Sequence, residues 1–219
     1  MKGFSRKKMT SDFPILLSIA QIVPCTEAEG PGRRFALWFQ GCPLRCPGCC
    51  NPEMLPFEGG RSIPLVDVVE QLRRTAAEHG VEGITLLGGE PMGHAASAAA
   101  LARETKALGL SVMVFSGYTL DEIRNMSDPA VTDLLAHADI LVDGPYVREL
   151  PETRRRWIGS SNQVIHFLTD RYRADDPCWR MRNTVEIRLV DGEVSVNGFP
   201  NPRVVSRSEQ RARNSKQEL

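Results

Sequence analysis

The segment Phe35-Ala-Leu-Trp-Phe-Gln-Gly-Cys-Pro-Leu-Arg-Cys-Pro-Gly-Cys-Cys-Asn51 is the most informative part of this chain. It begins with a largely apolar run, which is typical of a buried strand, and the run leads directly into four cysteines. Two prolines between the cysteines favour a stiff, non-helical loop. The segment therefore predicts a strand that carries a cluster of thiols at its carboxyl end.

Three of these cysteines, Cys42, Cys46 and Cys49, have the spacing C-x3-C-x2-C. Thiolates this close together can converge on one metal centre. A [4Fe–4S] cluster is normally held by four cysteines, so a set of three leaves one iron free to bind a substrate. The spacing favours Cys49 over its neighbour Cys50 as the third ligand, because adjacent side chains tend to point apart.

The composition is that of an ordinary globular domain. The chain has 219 residues, of which 42% are hydrophobic and 25% charged. Lys plus Arg and Asp plus Glu both total 27, so the charge balance gives no reason to expect a nucleic acid or an anionic membrane as partner. Four of the six cysteines lie between residues 42 and 50, a clustering that indicates metal binding rather than disulfides.

The two ends of the chain differ from its middle. Residues 1–12 are basic and polar, and residues 201–219 are polar without periodicity, so we expect both to be disordered around one domain at 13–200. The apolar run after the basic N-terminus resembles an export signal, but it is short and Asp12 and Pro14 interrupt its start. We expect no membrane span, because no apolar run approaches the length needed to cross a bilayer. We expect a cytoplasmic protein, because thiolates and an oxygen-sensitive cluster need a reducing compartment.

Apolar segments that favour strands alternate with helical patterns along the domain. Ser62 with Pro64 predicts the start of one helix, and Thr119-x-x-Glu122 has the form of a capping box that opens another. This alternation predicts an α/β fold with a mostly parallel sheet, with too few units for an eight-fold barrel. The predicted strands are 15–23, 35–40, 84–87, 111–115, 139–142 and 163–168, and a hairpin is predicted at 185–190 and 193–196.

Distinctive polar or glycine residues follow each of the central strands. They are the cysteine loop, Gly88-Gly89-Glu90-Pro91, Ser116-Gly117-Tyr118 and Asp143-Gly144. Because active sites of parallel α/β folds lie at the carboxyl ends of the strands, these segments are expected to meet in one site.

These motifs resemble the radical S-adenosylmethionine (SAM) superfamily over residues 17–197. Its signature C-x3-C-x2-C is matched by the cysteine triad, and Gly88-Gly89-Glu90 is similar to its SAM-binding turn. The segments Trp38-Phe-Gln-Gly-Cys42, Leu141-Val-Asp-Gly144 and Gly159-Ser-Ser-Asn-Gln163 resemble glycyl-radical-enzyme activases, in particular those of anaerobic ribonucleotide reductase.

The resemblance implies a partial (β/α)6 TIM-like barrel that cleaves SAM reductively to a 5′-deoxyadenosyl radical. It implies one [4Fe–4S] cluster on the triad, a glycyl radical enzyme as partner, and an electron donor such as flavodoxin or ferredoxin. A small tailoring enzyme acting on a peptide or metabolite is the alternative. The implied SAM-binding residues are Gly88, Gly89, Glu90, Ser116, Asp143 and Asn162.

Two features depart from the pattern or leave an alternative open. The residue before the third cysteine is usually aromatic in this superfamily, whereas here it is Gly48. A structural zinc site could also use the triad, with a fourth ligand from one of the four histidines. Those histidines are His79, His94, His137 and His166.

Overall fold

A sheet of seven strands forms the centre of the protein. The structure, a computed structural model, describes residues 14–190 and 193–198. The segments expected to be disordered, 1–12 and 201–219, lie outside the described residues. The strands are β1 (Leu16–Thr26), β2 (Arg34–Phe39), β3 (Arg61–Pro64), β4 (Gly83–Gly88), β5 (Ser111–Phe115), β6 (Ile140–Asp143) and β7 (Val164–Phe167).

The strand order is β3-β1-β2-β4-β5-β6-β7. The four central strands β2, β4, β5 and β6 are parallel, whereas β1, β3 and β7 are joined to the sheet in antiparallel pairs. The predicted α/β fold with a parallel centre is therefore confirmed. Among the described residues the two edge strands, β3 and β7, do not pair with each other, so the sheet is open and not a closed barrel.

Four α-helices lie in the connections that lead to the parallel strands. They pack on one face of the sheet, where a continuous apolar core includes Leu37, Leu86, Val114 and Leu141. The helices are α1 (Leu65–His79), α2 (Ala95–Ala107), α3 (Leu120–Asn125) and α4 (Pro129–His137). Within the part of the chain that the structure describes, no helix has the length and apolar character needed to cross a bilayer.

The helix starts test two of the predictions from local sequence. The capping box is confirmed, because the Thr119 hydroxyl accepts a hydrogen bond from the backbone of Glu122 and the Glu122 carboxylate accepts one from the backbone of Thr119. The prediction that Ser62 caps α1 was wrong. Ser62 lies in β3 opposite Ser18, because pairing with the edge of β1 holds this segment extended until Pro64.

The other face of the sheet has two parts. Towards the amino ends of the parallel strands, Trp157, Ile158 and Trp179 cover Met113 and Ile140. Towards the carboxyl ends, an apolar cluster is formed by Trp38, Met54 and Leu87, with Phe115 only half buried against it. This second cluster lies next to the end of β2, from which the cysteine loop emerges.

A separate two-stranded hairpin follows the sheet. Its strands are β8 (Val185–Val190) and β9 (Glu193–Gly198), which confirms the predicted hairpin, with β9 two residues longer than expected. The turn at 191–192 lies outside the described residues. Polar contacts from Glu186 and Arg188 attach the hairpin to the end of β1, where Glu186 accepts a hydrogen bond from the backbone N–H of Glu27.

Candidate metal centre and cofactor site

The cysteine loop begins directly after β2 and is closed at its base by backbone hydrogen bonds. The N–H of Gly41 donates to the carbonyl of Met54 at 2.9 Å, and the N–H of Cys42 donates to that of Leu55 at 3.0 Å. The Gln40 side chain also donates to two carbonyls of the returning chain. The loop is thus held as a rigid projection at the carboxyl edge of the sheet.

The loop brings Cys42, Cys46 and Cys49 near one another, close enough for their charges to interact. Cys42 is buried, Cys46 and Cys49 are half buried, and Cys50 is exposed beside the Tyr146 hydroxyl. The backbone N–H of Asn51 donates to the sulfur of Cys49 at 3.4 Å. Burial raises the pKa of the Cys42 and Cys49 thiols. The backbone N–H groups that face their sulfurs lower the pKa, but by less than burial raises it.

This donor set fits an open iron–sulfur cluster better than a zinc ion. Thiols whose sulfurs face backbone N–H groups, as those of Cys42 and Cys49 do, are the environment that such clusters use. Among the described residues, no three Cys, His, Asp or Glu side chains converge on a single-ion site. Ligands of a cubane each bind a different iron and therefore stand farther apart than the ligands of one zinc ion.

The Gly88-Gly89 turn after β4 packs against the base of the cysteine loop. Gly88 has a φ of +101°, and a Cβ built on Gly89 would lie 2.0 Å from the carbonyl oxygen of Gly41. The N–H of Glu90 donates to that same oxygen at 2.9 Å. Only glycine permits this approach, so the turn and the residue preceding Cys42 form one unit.

The Glu90 side chain points into the protein and ties two turns together. Its carboxylate is buried and accepts hydrogen bonds from Met92 N–H, Ser116 Oγ–H and Gly117 N–H, at 2.9, 2.9 and 2.8 Å. Burial raises the pKa of Glu90 to about 7. The group is therefore engaged in fixing the turns after β4 and β5.

Ser116 brings the turn after β5 to the same place. Its hydroxyl also accepts a hydrogen bond from the N–H of Tyr118 at 3.1 Å. A Cβ built on Gly117 would lie 2.5 Å from a methyl carbon of Leu44, a residue of the cysteine loop. The cysteine loop, the Gly88–Glu90 turn and the Ser116–Tyr118 turn are therefore in contact, as expected from their positions after neighbouring parallel strands.

Asp143 and Asn162 lie beside this cluster, around a separate cavity of about 610 Å³ that none of the three cysteines lines. The Asp143 carboxylate accepts a hydrogen bond from the N–H of Leu120 at 2.6 Å, and exposed Asn162 donates to the carbonyl of Pro145. Nε2 of His166 lies 3.0 Å from Asp143, but the ring N–H is not directed at it and forms no hydrogen bond with the described residues.

Two further residues lie near the loop: His94, which the sequence offered only as a possible zinc ligand, and Arg148, which it did not indicate. His94 stacks on Phe39 with ring centroids 5.1 Å apart, and its Nε2 lies 3.3 Å from the carbonyl of Gly41. Burial lowers the pKa of His94, which favours the neutral ring. Arg148 lies over Gly48, where an added Cβ would be 3.0 Å from Cδ of the arginine. The aliphatic part of the Arg148 side chain occupies the space that an aromatic side chain at position 48 would need.

Two arginines of the Arg154–Arg156 run, Arg155 and Arg156, form hydrogen bonds within the protein, whereas Arg154 is exposed. Arg155 donates to the Glu152 carboxylate and to the carbonyls of Ser161 and Gln163. Arg156 is buried and stacks over the Trp157 ring at 4.3 Å. Its Nε forms no hydrogen bond with the described residues, whereas its terminal nitrogen donates to Glu27 O and Thr184 Oγ1.

Comparisons with known proteins agree with this site. The model of a family described as "4Fe-4S single cluster domain" matches residues 28–166. An anaerobic ribonucleoside-triphosphate reductase-activating protein of Escherichia coli K12 is 32% identical over 156 residues, which are 68% of this chain and 97% of that protein. The protein of that name from Salmonella typhimurium is 34% identical over 155 residues, with the same two coverages. That from phage T4 is 29% identical over 154 residues, which are 68% of this chain and 94% of the phage protein.

The region matched by the family model, residues 28–166, includes the cysteine loop and the turns after β4 and β5. The identity to the bacterial proteins extends over nearly their whole length. The chain belongs to the family of anaerobic ribonucleoside-triphosphate reductase-activating proteins.

Proposed function

We propose that this chain activates an anaerobic ribonucleotide reductase by installing a glycyl radical on it. The observation that carries the proposal is the contact between the three-cysteine loop and the Gly88–Glu90 turn, in a chain of the activating-protein family. The chain is a radical SAM enzyme, and its cofactors are one [4Fe–4S] cluster and SAM. When bound, these cofactors supply one-electron cleavage of a C–S bond and a 5′-deoxyadenosyl radical.

The roles of individual residues follow from their positions. Cys42, Cys46 and Cys49 hold the cluster and leave one iron free for SAM. Gly88 and Gly89 would present backbone groups to the amino end of SAM, and their lack of side chains lets the turn that carries those groups pack against the cysteine loop. Glu90 and Ser116 hold this turn in place through their mutual hydrogen bond, and so act on SAM by positioning.

Asp143 and Asn162 are proposed to contact the nucleoside part of SAM or the incoming substrate from the neighbouring cavity. Asp143 also accepts the N–H of Leu120 at the start of α3, which holds its carboxylate in this wall of the cavity. The apolar area formed by Trp38, Leu87 and Phe115 excludes water and reactive polar groups from the vicinity of the radical.

The open edge of the sheet suits a polypeptide substrate. We propose that the sheet curves as a partial (β/α)6 barrel, whose lateral opening admits the glycine-bearing loop of the reductase. An electron donor such as flavodoxin or ferredoxin would reduce the cluster. We place the protein in the cytoplasm, where a reducing environment preserves thiolates and the cluster.

The test is anaerobic reconstitution of the full chain, reduction with dithionite, and addition of SAM with and without an anaerobic ribonucleotide reductase. We expect 5′-deoxyadenosine by chromatography and a glycyl radical on the reductase by electron paramagnetic resonance. Cys46→Ala should abolish both, and Cys25→Ala should abolish neither. Formation of 5′-deoxyadenosine without a glycyl radical on any reductase tested would contradict activation and favour a tailoring enzyme.

A further inference from the structure

The peptide group between Gly41 and Cys42 is held at both of its ends. Its N–H, which belongs to Cys42, donates to the carbonyl of Leu55 at 3.0 Å, and its oxygen, which belongs to Gly41, accepts the N–H of Glu90 at 2.9 Å. The same oxygen lies 3.3 Å from Nε2 of His94. Because a carbonyl can only accept, the ring donates this hydrogen bond from Nε2. The peptide group sets the direction in which the Cys42 side chain leaves the backbone.

His94 is itself held firmly by its surroundings. Its ring stacks on Phe39 at the end of β2, with the ring planes 9° apart, and Phe57 lies against it with ring centroids 5.8 Å apart. Its backbone joins the short helical turn Pro91–His94 to α2, and its carbonyl accepts the hydroxyl of Ser97 at 3.1 Å. Burial lowers the pKa of the ring, which favours the neutral form with a single N–H. A ring confined in this way is a donor of fixed direction.

The sulfur of Cys42 is the most enclosed of the three in the triad. Cys42 is buried, and the backbone N–H groups of Leu44 and Arg45 face its sulfur. Arg45 has a φ of +49°, in the left-handed region that residues other than glycine rarely adopt, so this turn is tightly wound around the sulfur. N–H groups that bind a ligand sulfur stabilise the more negative, reduced state of an iron–sulfur cluster and so raise its reduction potential. The potential therefore depends on how the Cys42 side chain is aimed.

We propose that His94 is a positioning residue, whose Nε2–H holds the Gly41 carbonyl and thereby keeps the Cys42 sulfur against the N–H groups of the loop. The inference rests on the proposed function in one respect, that Cys42 is a ligand of the cluster. The turn after β4 then supports this ligand from two points, through the backbone of Glu90 and through the side chain of His94. Because His94 acts through the backbone, its loss changes the reduction potential of the cluster and removes no ligand.

Three substitutions separate the donor from the ring. The amide nitrogen of glutamine stands about as far along the side chain as Nε2 of histidine, so His94→Gln keeps a donor for Gly41 and loses the stacked ring. His94→Phe keeps a ring that stacks on Phe39 and loses the donor. His94→Asn has a shorter side chain, which takes its amide away from the Gly41 carbonyl. His79→Phe is the control, because His79 is exposed at the end of α1, at the opposite end of that helix from the cysteine loop.

The test is anaerobic reconstitution of each full-length chain without SAM or reductase, followed by a redox titration in which electron paramagnetic resonance measures the reduced cluster. We expect the midpoint potentials of His94→Phe and His94→Asn to be more negative than that of the wild type, because fewer N–H groups would then stabilise the reduced cluster. His94→Gln and His79→Phe should keep the wild-type potential. A role of His94 in packing alone would instead shift His94→Gln together with the other two variants.

The outcomes separate this proposal from the proposed function. Assembly of a cluster by His94→Gln but not by His94→Phe or His94→Asn would also support the proposal, since the donor is what the first variant alone retains. Wild-type potentials in His94→Phe and His94→Asn, or an equal shift or loss in all three variants of His94, would overturn it and leave the activation of a reductase standing. Failure of the wild-type chain to assemble a [4Fe–4S] cluster would overturn both.

Discussion

The hydroxyl of Ser116 donates a 2.9 Å hydrogen bond to the buried carboxylate of Glu90, which joins the turn after β4 to the turn after β5. The same carboxylate accepts the backbone N–H groups of Met92 and Gly117. One side chain thus satisfies three donors that burial would otherwise leave without partners. Since the backbone of Glu90 also binds Gly41, this carboxylate supports the base of the cysteine loop.

Glu90→Ala should destabilise the protein strongly. Each buried donor left without a partner costs about 1–3 kcal/mol, and we expect a loss of roughly 3–5 kcal/mol in the free energy of unfolding, measured by urea denaturation of the apo chain. Glu70→Ala is the control, because Glu70 is exposed and, within the described part of the chain, pairs only with Arg73 one helical turn away. Its effect should remain within about 0.5 kcal/mol. Similar effects of the two changes would contradict the role of Glu90.

The stability of the protein should depend on pH through Glu90. Burial raises its pKa from 4.5 to about 7 in the folded chain, so ionisation is harder in the folded than in the unfolded state. The contribution of Glu90 is therefore fully present below pH 4.5 and is lost as the pH rises to about 7, by roughly 3 kcal/mol in total. The Glu90→Gln variant has no ionisable group at this position, so its stability lacks this dependence on pH.

The measurement is the difference in unfolding free energy between wild type and Glu90→Gln at several pH values in this interval. We expect the wild type to lose stability relative to the variant as the pH increases. Other titrating groups are common to both chains and cancel in the difference. A difference that stays constant with pH would show that the carboxyl group has an ordinary pKa in the folded state.

Gly89→Ala should disturb both the turn and the cysteine loop. The new Cβ would lie 2.0 Å from the carbonyl oxygen of Gly41, a backbone atom next to Cys42, so one segment must move. We expect lower iron content after anaerobic reconstitution as well as weaker SAM binding. Gly93→Ala is a matched control in the following turn, because its Cβ would meet only Pro43 at an ordinary distance of 3.6 Å. Normal iron content in Gly89→Ala would contradict this coupling.

Features that depend on neighbouring residues in the sequence could be predicted well. The triad spacing, the glycine turn and the capping box at Thr119 are local patterns, and the order of the parallel strands then brings the turns together. The contact between Leu44 and Gly117 agrees with the expected meeting of these segments, because β2, β4 and β5 are consecutive in the sheet.

Side-chain direction could not be predicted in the same way. Glu90 points inward because the turn after β5 supplies hydrogen-bond donors for it, and Asp143 is directed at the N–H of Leu120. Both contacts join residues that are distant in sequence, so no local pattern indicates them. Ser62 is a good capping residue, but the free edge of β1 offered its segment a strand partner instead. The stacking of His94 on Phe39 likewise depends on how the turn after β4 approaches β2.

The two adjacent cysteines at the end of the triad should behave differently. Cys49 is half buried and its sulfur accepts the N–H of Asn51, whereas Cys50 is exposed beside Tyr146. Cys49→Ala should therefore lose most of the iron and the visible absorbance of the reconstituted cluster, while Cys50→Ala should retain about the wild-type amount of both. Each change removes one thiol, and the two positions are adjacent. A general disturbance of the loop would therefore affect both variants alike. Retention of iron by Cys49→Ala together with its loss in Cys50→Ala would assign the third ligand to Cys50.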